Sequence, residues 1–524
     1  MTEHMAMERK WWTLIVVSAA TFMLLMDVTI VIVALPTIQS DLHASFSDVQ
    51  WVVDAYALTL ASVLLTAGSL ADRYGRRFLF TIGLIVFTLG SLLCGVAQSP
   101  IMLILSRSAQ GIGGAILFAT SLALLAQSFS GHERGVAFGI WGAVTGVAVG
   151  LGPVLGGLIT TGIGWRAIFL VNLPVGVAAL AITRWQVEES KTPNAARPDW
   201  AGFATLTAGL VSLVYGLIRA GESTWSDTGV VICLALAAAF LAGFVAVESR
   251  AEHPLFDLSL FRIPTFSGGL AAAFAMNGSL YAVLLYLVLY LQDDLGYSAL
   301  GTGLRLLVMS GVTLVAATAA GRLSTHMPVR WLIGPGLLLV GVALLLMSGL
   351  HASSSWTHLI PGFIAAGAGS GMVNPPLAST AVGVVTPQRS GMASGVSTTF
   401  RQIGIATGIA VYGSIFAASL HQRMDQALSG TPSLHHLLPA VVTDIQQGKT
   451  AQAIRAVPAP LRGSLTAAIH ASFASTLDVL LVVSAVLALV GAACSIALIR
   501  SRDFAVSRQP QLDPASPEAI DATA

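Results

Sequence analysis

The sequence predicts an all-α membrane protein with about fourteen spanning helices, and three observations predict it. Of 524 residues, 55% are hydrophobic and only 10% are charged, against about 25% charged in an ordinary soluble domain. So little charge cannot cover a water-soluble body of this length, so lipid must stand in for the missing polar surface. Apolar runs of about 20 residues, the length that crosses a bilayer, recur along the chain. The basic residues are also shared unevenly between the connections.

The runs fall at 12–36, 50–71, 78–98, 101–126, 136–161, 167–185, 200–219, 228–248, 264–291, 300–323, 330–350, 358–382, 392–418 and 473–499. The first follows Arg9 and Lys10. It is too long for a signal peptide and lacks a small-residue cleavage site, so it reads as a retained helix. With the N-terminus inside, cytoplasmic segments hold seventeen of the 26 Lys and Arg and external segments hold seven. The other two, Arg107 and Arg401, lie within helices. This positive-inside bias places both termini in the cytoplasm. Scarce lysine with abundant Arg, Ala and Gly is the usage of a GC-rich bacterial genome, so the expected location is the bacterial inner membrane.

The longest connection, about 419–472, is external and polar. Apolar residues in 451–468 recur at spacings that suit an external amphipathic helix. His435 and His436 read as a solvated pair, not metal ligands. Residues 503–524, rich in Pro, Asp and Ala, read as a disordered tail. Cys94, Cys233 and Cys494 each sit in an apolar stretch with no CxxC spacing, which points to packing. A net charge of +1 gives no face for nucleic acid. No GxxxxGK[ST] loop exists for nucleotide, and no nucleophile sits beside a base, so neither a primary pump nor an enzyme is expected. No metal or cofactor is implied.

Charges inside spans are costly and rarely persist without a role or partner. Asp27 lies nine residues from the predicted outer end of the first span, roughly 14 Å deep. Asp54 lies four residues into the second span from outside, near the interface. Arg107 is the only charge within the fourth. Asp27 is the candidate proton carrier, with Asp54 a second acid and Arg107 a group that tunes Asp27. Asp478, Asp293 and Asp294 read as interfacial or vestibular. For Arg401 a deep role and an interface pairing are equally open.

Between the second and third spans the chain reads Gly68-Ser-Leu-Ala-Asp72-Arg73-Tyr-Gly75-Arg76-Arg77. Anchoring by positive charge does not explain Asp72 or the glycines. A cytoplasmic latch does: Gly68 permits close approach, Asp72 faces a helix N-terminus, and Arg73 or Arg76 pairs across an interface. In the fifth span, glycines spaced by four at 142, 146 and 150, then at 152 and 156, let helices touch backbone to backbone, with Pro153 as a local break. Met23, Met26, Tyr56, Trp141 and Tyr281 are candidates for lining an adaptable cavity.

The first of these segments resembles the signature loop of the major facilitator superfamily, GxLaDRxGrr. Arg107-Ser-Ala-Gln110-Gly111-Ile-Gly113-Gly114-Ala115 resembles its RxxQGxgaA. Gly146 through Gly150, Gly152, Pro153, Gly156 and Gly157 resemble the motif that marks antiporters. Asp27-Val-Thr29-Ile-Val-Ile-Val-Ala34-Leu35-Pro36 is similar to the LDxTIVNVALP of the fourteen-helix drug:proton antiporters. Trp165 through Pro174 and Gly391 through Gly404 also look like that branch. Ile32 departs from it, standing where Asn is usual. Asp54 departs too, and resembles the quaternary-ammonium exporters of the QacA type, which handle lipophilic cations and dications.

The resemblance implies two six-helix bundles that rock about a central cavity, with two inserted helices. The expected parts are 1–190, the insertion 191–255, and 256–502. It implies a proton-coupled antiporter that exports small lipophilic, often cationic, drugs and functions as a monomer in membrane lipid. An exporter dedicated to one endogenous metabolite or antibiotic, or a lipid flippase, would use the same scaffold.

Overall fold

The computed structural model describes residues 2–504 except 130, 192–197, 253, 325, 386–388, 429–440, 443 and 446–449. The described residues form helices and short connections, without strands. Among the described residues, thirteen helices are long and apolar enough to cross a membrane: α1 Arg9–Leu42, α2 Phe46–Tyr74, α3 Arg76–Gly95, α4 Pro100–Ser128, α5 Val136–Gly162, α6 Ala167–Gln186, α7 Trp200–Glu222, α8 Thr228–Glu248, α9 Pro264–Asp294, α10 Ala299–Leu323, α11 Arg330–Met347, α13 Gly391–Leu428 and α14 Ala459–Leu498. Between α11 and α13 lies α12, Ile360–Gly383, whose glycines, Asn374, Pro375 and Pro376 dilute its hydropathy. The fourteen form the two bundles, α1–α6 and α9–α14, with α7 and α8 inserted as a hairpin.

The hairpin is placed by its apolar face. Leu206, Leu210 and Val214 of α7 join Leu58 and Leu65 of α2 and Val396 and Ala406 of α13 in one buried cluster. Trp51 meets Tyr215 at 6.2 Å between ring centres. Asp227 caps α8, accepting from the Gly229 and Val230 N–H groups and from Arg219. The Arg219 hydrogen bond holds its carboxyl below the usual range.

Three sequence-based boundaries change. A capping box of Ser45 and Asp48 starts α2 at Phe46, so Asp54 lies two turns inside the helix and is fully buried, not near the interface. The helix of α1 likewise runs on to Leu42, past the predicted end at Pro36. Much of the external connection 419–472 is helix: α13 continues to Leu428 and α14 begins at Ala459. The apolar face at 451–468 does not make one separate amphipathic helix. Thr450–Ala456 is a short helix, whereas Leu465, Ile469 and Phe473 continue the buried stripe of α14. His435, His436 and the tail from 505 lie outside the described residues.

The bundles meet at one end and part at the other. On α5, a Cβ at Gly157 would stand 2.4 Å from the Ala299 carbonyl oxygen at the start of α10. One at Gly150 would be 3.9 Å from the Ser310 oxygen, and one at Gly146 3.6 Å from the Leu314 side chain. On the same face at Gly142 and Gly139, one and two turns further, nothing lies within 4 Å. On the other side, Gln50 of α2 donates to the Ile409 carbonyl of α13 at 3.0 Å and to the Tyr286 hydroxyl of α9 at 3.3 Å. Thr399 donates to the Ala61 carbonyl at 3.2 Å, and Gly395 packs on Leu65, but Gly68 and Gly391 again face open space. Gln292 of α9 adds a bond to the Val33 carbonyl at 2.8 Å. The closed end is the one that the arginine distribution assigns to the outside.

Candidate functional site

The first bundle holds a polar cage at mid-depth. Arg107 of α4 donates through Nη1 to Asp27 Oδ2 of α1 at 2.5 Å and to Gln110 Oε1 at 2.6 Å. Its Nε donates to the Val52 carbonyl of α2 at 3.2 Å. Gln110, one turn along α4, donates to Asp27 Oδ1 and to Ser91 Oγ of α3, both at 2.8 Å. Asn172 of α6 donates to the same serine at 3.2 Å and to Asp27 Oδ1 at 3.5 Å. Tyr56 covers the guanidinium, its ring centre 4.3 Å from the charge. Asp27 is 0% exposed and Arg107 1%. Both charges are thus taken out of water, and their mutual pairing together with the surrounding hydrogen bonds offsets that cost. Helix α5 closes the rim: a Cβ at Gly152 would fall 1.8 Å from Thr29 Oγ1, and one at Gly156 2.8 Å from the Ile30 carbonyl oxygen. The motif's glycines therefore serve two faces, Gly152 and Gly156 toward α1, and Gly146, Gly150 and Gly157 toward α10. Pro153 presents its carbonyl to α10, 2.3 Å from where a Cβ at Gly303 would stand.

Asp54 sits differently. It lies one turn along α2 from Gln50, on the face that carries Ala61 and Leu65 to the second bundle. It is 0% exposed, and neither carboxylate oxygen has a hydrogen-bond partner among the described residues.

At the parted end, Gly75 has φ +123°, a backbone region that favours glycine, and a Cβ there would be 2.6 Å from the Glu189 carboxylate. That carboxylate accepts from the Arg77 and Phe78 N–H groups, each at 3.0 Å, and so caps α3. Arg76 pairs with Asp72 of its own loop at 2.8 Å. Arg73 is exposed and lies over Tyr74. The expected pairing of Arg73 or Arg76 across the bundles is therefore not made among the described residues. The loop faces open space at Gly68 instead.

Of the cavity candidates, Met23 and Tyr56 are buried in the core of the first bundle and Met26 in the cluster that both bundles share; none of the three lines open space here. Trp141, half-buried, donates to Thr21 Oγ1 at 2.9 Å. Tyr281, also half-buried, accepts from Asn374 at 3.4 Å. Asp478 accepts the Leu350 N–H at 3.0 Å and holds a connection. Asp294 pairs with His470 at 2.7 Å, tying α9 to α14, while Asp293 is exposed. Sequence reasoning missed Ser91 and Asn172 of the cage, the Gln50 and Gln292 clasps, and the Glu189 cap.

Comparison with known proteins agrees with this architecture. The Major Facilitator Superfamily profile matches residues 17–409. Multidrug resistance protein Stp of Mycobacterium tuberculosis is 36% identical, over 82% of this chain and 81% of its own. The Tetracenomycin C resistance and export protein of Streptomyces glaucescens is 32% identical over 93% and 91%. Puromycin resistance protein pur8 of Streptomyces alboniger is 36% identical over 78% and 82%. Among solved structures, a bacterial homologue of the human lysosomal transporter Spinster superposes with a TM-score of 0.65 at 18% identity, over 95% of this chain and 98% of its own. The chain is a multi-pass membrane transporter that belongs to the Major Facilitator Superfamily.

Proposed function

We propose that this transporter exports small lipophilic, often cationic, drugs or antibiotics across the bacterial cell membrane in exchange for protons. Relatives named for drug resistance and export support the cargo class. The observation that carries the exchange is the caged pair Asp27–Arg107. A proton on Asp27 would leave Arg107 buried and uncompensated, a cost of several kcal/mol. The cage must then rearrange, and because it ties α1, α2, α3, α4 and α6 together, proton binding biases the whole bundle between its conformations. Covered by Arg107 and Tyr56, Asp27 acts through this rearrangement and not by touching cargo. Asp54, bare on the seam, is the acid at which a cation and a proton compete directly. Burying a lone carboxylate is costly, and either partner relieves that cost.

The loop at Asp72, Arg73 and Arg76, with Gly68 and Gly75, is the gate that closes the parted end. The α5 glycines form the opposing seal. The positive-inside bias supports cytoplasmic termini, and a single chain contains every cage group, which supports a working monomer.

The test is efflux from vesicles with an imposed pH gradient and a panel of lipophilic mono- and dications. Wild type should move the panel uphill. Asp27→Asn should abolish gradient-driven efflux while keeping cargo exchange in the absence of a gradient. Uphill extrusion by Asp27→Asn would refute the coupling scheme. The export protein for tetracenomycin C, matched over 91% of its length, favours a second reading, an exporter of one endogenous antibiotic. On that reading only one compound of a broad panel would move.

A further inference from the structure

The second bundle carries a charge that the exchange scheme does not use. Arg401 lies in α13, ten residues from its start at Gly391, or roughly 15 Å along the axis. That is about the middle of a hydrocarbon core some 30 Å thick, the depth at which secondary transporters bind cargo. Among the described residues no carboxylate pairs with it. It bonds a neutral amide instead: Nη1 donates to Asn374 Oδ1 of α12 at 3.3 Å. Asn374 in turn donates to the Tyr281 hydroxyl of α9 at 3.4 Å. All three side chains are half-buried, unlike the sealed pair of the first bundle.

The direction of these bonds is chemically informative. An arginine can only donate, so it fixes the amide oxygen of Asn374 toward itself and the amide nitrogen toward Tyr281. The tyrosine oxygen therefore accepts, and its own O–H is left to donate. The remaining guanidinium N–H groups are donors as well. Both ends of the chain thus present donors beside one positive charge. The backbone is irregular at the same places. Tyr281 ends a π-turn, Asn277–Tyr281, a feature that recurs at functional sites, and Asn374 immediately precedes Pro375 and Pro376. Three helices converge here, each with a polar group facing partly accessible space.

We propose that Arg401, Asn374 and Tyr281 form a cargo subsite for an anionic oxygen, the carboxylate or phenolate of a lipophilic aromatic compound. The inference rests on the reading of the chain as an exporter whose cargo occupies the space between the bundles. It extends the cargo from cations to zwitterions and acids. A donor-only pocket with a permanent charge recognises an acceptor-only group. It gives no advantage to the same compound once the acid is esterified.

The test uses a carboxylated rhodamine and its methyl ester, which differ only in the acid. Binding of each to purified protein in detergent is followed by fluorescence anisotropy, which needs no proton gradient. Wild type should bind the acid. Arg401→Gln should weaken the acid by roughly tenfold or more, the usual size of a lost charged hydrogen bond, and leave the ester within about twofold. Tyr281→Phe, which keeps the ring and removes only the donor, should weaken the acid selectively by a smaller factor. Arg401→Lys should retain part of the acid affinity. Retained ester binding shows that each variant is folded. Equal loss of acid and ester in both Arg401→Gln and Tyr281→Phe, no loss of either, or no binding of the acid to wild type would each overturn the proposal. If Arg401-dependent acid binding holds but a pH gradient drives neither dye, the coupling reading fails and this subsite stands.

Discussion

Two acids of the first bundle, Asp27 and Asp54, are equally hidden from water, yet their surroundings are opposite. Asp27 lies inside the bundle with Arg107, Gln110 and Asn172 donating to it. Asp54 lies on the seam between bundles with no donor among the described residues. The difference teaches that burial alone does not give an intramembrane acid its role. A satisfied acid is part of the frame, and changing it disturbs the helices it binds. A bare acid holds nothing together, so changing it should alter what the protein carries and leave its stability alone.

The sharpest way to break this contrast is at the cage. Arg107→Ala leaves Asp27 buried without its cation, and should destabilise the folded protein by about 3–5 kcal/mol, read as a lower thermal midpoint in detergent. Unchanged stability would show that the cage is not structural. Asp54→Asn should leave that midpoint unmoved or slightly raised, because a bare carboxylate contributes no pairing. Its effect belongs in transport: dication efflux should fall more than monocation efflux. Equal loss of the two would remove the seam from cargo recognition. The smallest effect is expected at the clasp. Gln50→Ala removes two bonds between bundles, each worth about 1 kcal/mol, and should increase labelling of a cysteine introduced on the α2–α13 seam from the closed side. No change in labelling would mean that packing, not hydrogen bonding, holds that end shut.

Hydropathy made the number of helices legible because hydrocarbon thickness sets the length of an apolar run. It could not show where a helix stops once it leaves the lipid. The polar extensions of α13 and α14 look like loop for that reason. The depth of Asp54 was readable in principle, since Ser45 followed three residues later by Asp48 is a capping signal. Asp27 and Arg107 stood out because charge in a span is costly. Ser91 and Asn172 did not, because single small polar residues are common in membrane helices and only the fold brings them to one carboxylate. The pairing of Asp294 with His470, across 176 positions, and the Gln50 clasp leave no local trace either. The latch loop was legible as a motif, but its state was not: Arg76 pairs with Asp72 one turn away, and open space lies at Gly68.

The insertion has a consequence for how greasy molecules arrive. Helix α7 is laid along the α2–α13 seam, so one flank of the transporter is boarded over. The opposite flank, α5 against α10, has no such cover among the described helices, and its glycine faces at Gly142 and Gly139 have nothing within 4 Å. Under the proposed export function, a compound arriving from the inner leaflet would meet a bare flank on one side and a boarded one on the other.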